Sequence, residues 1–325
     1  MQLLNSVPRV LHWASRIVFA LLALASTPAA AQLDPGRIAQ AAGTDAKRQP
    51  DGVVRITWSR TDVPVDIDGV RLPPAAGLGS WAAFSATEHG SMVMGDTVVF
   101  QDEVDAAMDA AFAHGLDVTG LHNHFFFDKP KAYFMHIGAK GDPIALATGV
   151  KSVWDAIRAV RKQRPMPAGR FEGSALARGS LGANAISATI GHSAEIAGGI
   201  AKVTIGRQAQ MDGHTIGASM GLTTWAAFSG ADESAAVDGD IIMSAAEVQP
   251  VLRALRKAGL HVVALHNHMI GETPPLYFVH FWGRGPAIRL ASGFRSVLDA
   301  QKQVTGEDLQ SGAQAFTTKP AEGAE

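Results

Sequence analysis

Trp81-Ala82-Ala83-Phe84-Ser85 and Leu121-His122-Asn123-His124 return 144 residues later as Trp225-Ala226-Ala227-Phe228-Ser229 and Leu265-His266-Asn267-His268. The same offset carries Gly95-Asp96 onto Gly239-Asp240, Tyr133-Phe134 onto Tyr277-Phe278, and His136 onto His280, with no gap. Upstream the match is looser: Val54-Arg55-Ile56 resembles Lys202-Val203-Thr204-Ile205 once a few residues are inserted in the first copy. The chain therefore reads as two related units, residues 34–163 and 182–303, joined by a linker at 164–181 rich in Pro, Gly, Ala and Arg. A small, polar, flexible tail occupies 304–325. A solenoid needs at least three repeats to bury a continuous core, so two copies predict a pseudo-symmetric pair.

Each unit carries the same local pattern. Thr97 to Phe100 predicts a strand, Asp102 an N-cap, and the Ala-rich run to His114 a helix closed by Gly115. In the second copy Ser244 to Ala258 and Gly259 take those places. The paired histidines follow on an alternating apolar segment, then comes a Pro-containing turn, then a second alternating segment at Ala132 to Ile137 or Leu276 to Trp282. A closing helix starts near Pro143 or Pro286, where proline is tolerated best. The fold class expected is α+β: two tandem pseudo-symmetric repeats, each a mixed or antiparallel sheet with helices.

Composition removes several function classes. The 28 Lys and Arg against 30 Asp and Glu leave the 325-residue chain at −2, which argues against nucleic-acid binding by bulk charge. Cysteine is absent, so disulfides, thiolate zinc sites, cysteine nucleophiles and a lipidated N-terminal cysteine are excluded. Residues 1–31 have the order of a secretory signal peptide: Arg9 and Arg16, an apolar run from Ile17 to Ala25, and small residues at Ala29-Ala30-Ala31. That run is about half of the roughly 20 residues a membrane span requires. A periplasmic or secreted protein follows, with no stable membrane insertion after signal cleavage.

In a strand successive side chains alternate faces, so His122 and His124 point one way and Asn123 the other. His136, twelve residues beyond His124, can return on an antiparallel strand to face them. Three imidazoles with an open fourth position suit a divalent metal, most simply Zn²⁺. His266, His268 and His280 repeat the set at identical spacing. Duplication copies a structural histidine as faithfully as a ligand, so the repeat alone leaves open whether one or both triplets work. A carboxylate from the loop after Trp-Ala-Ala-Phe-Ser, Glu88 in the first unit and Glu233 or Asp232 in the second, is the candidate catalytic acid/base or a fourth ligand; the 144-residue register pairs Glu88 with Asp232 and puts Glu233 one position on. Asp128 and Glu272 sit in the hairpin turn, where an acid serves turn chemistry.

The doubled Leu-His-Asn-His, each followed by an aromatic pair and a third His, with Trp-Ala-Ala-Phe-Ser and Gly-Asp upstream, resembles the LppY/LpqO family of exported bacterial proteins, built around a domain of unknown function. More distantly, the order acid loop, His-x-His, third His is similar to acetolactate decarboxylase, a zinc enzyme of two related halves. That resemblance implies His122, His124 and His136, or His266, His268 and His280, as ligands, with Glu88 or Glu233 as the acid. The function expected is a metal-dependent lyase or hydrolase acting on a small-molecule substrate. The alternative is a non-catalytic protein that binds metal or a cell-envelope ligand.

Overall fold

The computed structural model describes residues 32–171, 176 and 179–305. The expected signal peptide and most of the expected tail lie outside these residues, although residues 304 and 305 belong to the final helix. The first unit runs α1 (Pro35–Ala42), β1 (Ala46–Arg48), β2 (Val54–Ser59), β3 (Asp66–Ile67), β4 (Val70–Arg71), β5 (Gly79–Thr87), β6 (Gly90–Phe100), α2 (Val104–Ala113), β7 (Asp117–Asn123), β8 (Asp128–Lys129), β9 (Ala132–Gly141) and α3 (Pro143–Gln163). The second runs α4 (Ala183–Ile190), β10 (Ala194–Ala197), β11 (Ile200–Gly206), β12 (Ala209–Met211), β13 (His214–Ile216), β14 (Thr223–Ala231), β15 (Ser234–Ser244), α5 (Val248–Lys257), β16 (His261–His266), β17 (Leu276–Gly285) and α6 (Ala287–Thr305).

Twelve strands form one antiparallel sheet in the order β1-β2-β5-β6-β9-β7-β16-β17-β15-β14-β11-β10. The units meet at its centre, where β7 and β16 run antiparallel and Leu121 pairs with its own equivalent, Leu265. A pseudo-two-fold axis therefore passes between those two leucines. The α+β class and the tandem repeats are as the sequence predicts, and the two units share a sheet.

One face of the sheet carries the helices. Leu121, Met135, Ile137, Leu265, Val279 and Phe281 point into this layer, which forms a continuous core across both units. The opposite face is covered only at its flanks. Val63, Val65 and Leu78 pack on Val98, Phe100 and Phe134 in the first unit, and Ala209, Ile216 and Leu222 pack on Ile242 and Phe278 in the second. The centre of that face stays open.

The boundary between the units is charge-complementary. Acids on the α2 side face bases on α5: Arg256 holds Asp105 at 2.8 Å and Asp109 at 2.9 Å, and Arg253 meets Asp117 at 3.4 Å. Gln249 closes a two-way hydrogen bond with the Val118 backbone.

Helix starts follow the expectation at α3, where Asp142 accepts hydrogen bonds from the Ile144 and Ala145 amides and Pro143 occupies the first turn. They depart from it at α2. The residue at the N-cap is Glu103, and Asp102 accepts from Arg161 and the Ala168 amide. Arg60 reaches across to clamp Glu103 with two bonds of 2.8 and 2.9 Å, fully buried, and Arg207 does the same to Glu247 at 2.6 and 2.8 Å. Each clamp ties the segment after the second strand of its unit to the start of the helix preceding the histidine strand.

Candidate metal centre

The histidines sit where β7 and β16 run out onto the open face. His136 pairs with Gly120 in the ladder and His122 with Phe134, which places His122 and His136 diagonally on one face. Their Nε2 atoms are 2.9 Å apart. His124 lies just past the strand end with its ring 5.1 Å from that of His122, stacked flat on Phe134 at 3.3 Å. In the second unit the His266 ring lies 5.1 Å from His268 and 4.8 Å from His280, and His268 stacks on Phe278 at 3.4 Å. Both triplets assemble.

A carboxylate joins each group from the neighbouring strand. Asp96 pairs with His136 and Asp240 with His280, so both acids project from the same face as the imidazoles. Ligand atoms of Asp240, His266 and His268 all lie within 4.8 Å of one another, and Asp240 Oδ2 is 3.3 Å from His268 Nε2. Asp240 is 2% exposed and Asp96 8%. Among the described residues, Oδ1 of Asp96, Oδ1 of Asp240 and Nδ1 of His266 are buried without a hydrogen-bond partner. Buried polar atoms are normally satisfied, and the orphans on Asp240 and His266 belong to the group whose ligand atoms lie close enough together to hold a cation.

Backbone contacts fix the ring orientations. His122 Nδ1 lies 3.2 Å from the Asn123 carbonyl and His280 Nδ1 lies 3.3 Å from the Gly239 carbonyl, so in both rings Nδ1–H donates and Nε2 keeps its lone pair. Burial, together with neighbouring imidazoles, pushes His124 and His266 below the ordinary histidine range, against the pull of Asp96 and Asp240 respectively. Both stay neutral, as ligands must be, to lower pH than a free histidine. Trp81 and Trp225 stand beside Asp96 and Asp240 on the open face, each capped by a cation at 4.5 Å, Arg55 and Lys202.

Glu88 and Glu233 are not brought to the histidines. Both lie at the far hairpin tips, eight residues along β5–β6 from Asp96 and seven from Asp240, about 25 Å at 3.3 Å per residue. Glu88 is exposed beside His89. The carboxylates that reach the sites are instead the aspartates of the Gly-Asp pairs. Their signal is a Gly-Asp pair directly before the apolar end of a strand, repeated at the 144-residue offset. Asp128 and Glu272 are buried and accept from the Ala132 and Leu276 amides at 2.7 and 2.8 Å, so they hold the hairpin turn, as expected of acids there.

Fold and site together define a tandem-repeat α+β protein with a candidate His/Asp metal-binding group, Asp240, His266 and His268, in its second repeat. The chain belongs to the family described as Domain of Unknown Function (DUF1259), which matches residues 36–156 and 184–300, one copy for each unit. No curated protein matches. Among solved structures, the trimeric bacterial microcompartment shell protein PduB overlaps 82% of this chain and 95% of its own at 12% identity and a TM-score of 0.21. The double ringed trimeric shell protein MSM0271 from the RMM microcompartment overlaps 77% and 95%, again at 12% identity, with a TM-score of 0.19.

Proposed function

We propose that this chain is an exported metalloprotein binding one divalent first-row metal, most simply Zn²⁺, in each repeat, and that it acts as a lyase or hydrolase on a small molecule. His122, His124, His136 and Asp96 hold the first ion; His266, His268, His280 and Asp240 hold the second. The observation that carries the reading is the buried Asp of each group, with one oxygen unpartnered, on the same open face as the imidazoles.

A divalent ion there supplies Lewis acidity toward a substrate oxygen. The protein's own part is to hold the His124 and His266 pKa values down, to fix the His124 and His268 rings by stacking on Phe134 and Phe278, and to leave one side open to solvent. The resemblance to the acetolactate decarboxylase site supports the same reading, and the resemblance to the exported LppY/LpqO family, with the signal-like residues 1–31, supports a periplasmic location. No helix among the described residues is long and apolar enough to cross a membrane. The test is turnover of hydroxy-keto acids, esters and amides by zinc-loaded mature protein. The reading expects metal-dependent activity on one class, lost in the Asp240→Asn, Asp96→Asn double variant. Full metal loading with no turnover on any class would favour the metal- or envelope-binding alternative.

A further inference from the structure

Within the ungapped part of the repeat, the two units differ in the loop directly beyond the second histidine. In the first unit this loop is Phe125-Phe126-Phe127, and in the second Met269-Ile270-Gly271. Both loops are pinned at each end in the same way. Asn123 Nδ2 donates to the Phe125 carbonyl at 3.0 Å and Asn267 Nδ2 to the Met269 carbonyl at 2.6 Å. Asp128 and Glu272 anchor the far ends. Between the anchors of the first loop, Phe126 and Phe127 are 79% and 75% exposed, whereas Phe125 is packed against the flanking core.

Phe127 also has φ +59°, a left-handed conformation that bulky side chains strongly avoid. Its equivalent is Gly271, at φ +101°, where the residue type suits the backbone. Neither hydrophobic burial nor local preference accounts for a phenylalanine at this position. Strained, exposed aromatic residues belong to the class of feature found where a surface is used. The crest lies two and three residues from His124, within about 10 Å of it along the chain.

We propose that Phe126 and Phe127 form an aromatic lip that gives the first-unit site a preference for ligands carrying a planar apolar group next to their metal-binding oxygens. The second-unit site, with Ile270 and Gly271, lacks that preference. The inference rests on the metal reading above and names the substrate class of one of its two sites.

The test uses two probes on zinc-loaded mature protein, acetohydroxamate and benzohydroxamate, which share the chelating group and differ in the ring. Titration calorimetry gives the benzo-to-aceto affinity ratio for wild type and for Phe127→Gly, with the melting temperature of each measured alongside. The lip predicts that Phe127→Gly lowers the ratio about threefold to tenfold, the size of one aromatic contact. It also predicts that acetohydroxamate affinity is unchanged and the variant melts no lower than wild type. An unchanged ratio overturns the lip while leaving the metal reading intact. A melting temperature several degrees lower makes Phe127 a packing residue and overturns it as well. Binding of neither probe to protein that elemental analysis shows to carry zinc overturns the lip alone, whereas protein that takes up no zinc retires the metal reading with it.

Discussion

Asp240→Asn separates a ligand from a structural carboxylate, because the two roles predict opposite effects on the metal-free protein. Asp240 is 2% exposed; Oδ2 has His268 Nε2 at 3.3 Å, and Oδ1 has no partner among the described residues. A buried carboxylate whose charge is not fully paired costs more than a neutral amide of the same shape, by about 1–3 kcal/mol. Asparagine keeps the size, removes the charge and offers an N–H to the imidazole. The metal-free variant should therefore be about 1–2 kcal/mol more stable than wild type, a rise in Tm of about 2–6 °C for a chain of this size. Zinc acts in the other direction. Saturation at 100 times Kd stabilises by about 2.7 kcal/mol per site, so removing one of two sites should roughly halve the zinc-induced rise. Thermal unfolding of both proteins, with chelator and with excess zinc in a non-coordinating buffer, measures both quantities. If the chelated variant is destabilised by more than about 1 kcal/mol, or if zinc raises its Tm as much as that of wild type, Asp240 is structural and the reasoning fails.

Glu247→Ala leaves Arg207 without its buried partner and orphans the Ser244 amide, and breaking such a pair costs about 3–5 kcal/mol by denaturant unfolding. Burial alone would raise the Glu247 pKa, but bonds from Arg207 and the Ser244 amide hold it below the usual range. Its stabilisation is accordingly present at neutral pH and lost as pH falls through that lowered value. Gly239→Ala should cost about 1–3 kcal/mol by overpacking, since a Cβ there would meet the Phe281 ring at 2.4 Å and the Trp225 carbonyl at 2.6 Å. Gly95→Ala, with nearest contacts of 2.9 and 3.0 Å, should cost less in the same assay. For His266 the folded pKa lies below the unfolded one, so the unfolded state binds more protons below about pH 6.5 and metal-free stability falls with acid there. Denaturant curves between pH 7 and 5 should show a shallower fall for His266→Asn than for wild type.

The repeat was legible because it is ungapped from β5 onward: hairpins, helices and histidine strands recur at one offset, and period-two alternation alone puts His122 and His124 on one face. Joining the units into a single sheet was not legible, since it rests on one Leu121–Leu265 pairing between residues that look like ordinary core positions. The aspartates were visible as a repeated Gly-Asp pair, but assigning them needed the β6–β9 register, a non-local fact. Sequence proximity favoured Glu88 and Glu233 instead, and an eleven-residue strand carries Glu88 away from the site. The Arg60–Glu103 and Arg207–Glu247 clamps have no periodic signature, because the partners lie 43 and 40 residues apart.

The central claim is that each repeat holds a metal ion through three imidazoles and one aspartate. Elemental analysis of the mature protein, purified without a metal-affinity tag and equilibrated with zinc, tests it most directly, alongside the His122→Ala, His124→Ala and His266→Ala, His268→Ala double variants. Two equivalents in wild type and one in each folded variant is the predicted result. No bound metal in wild type, or two equivalents retained in either variant, would contradict the account.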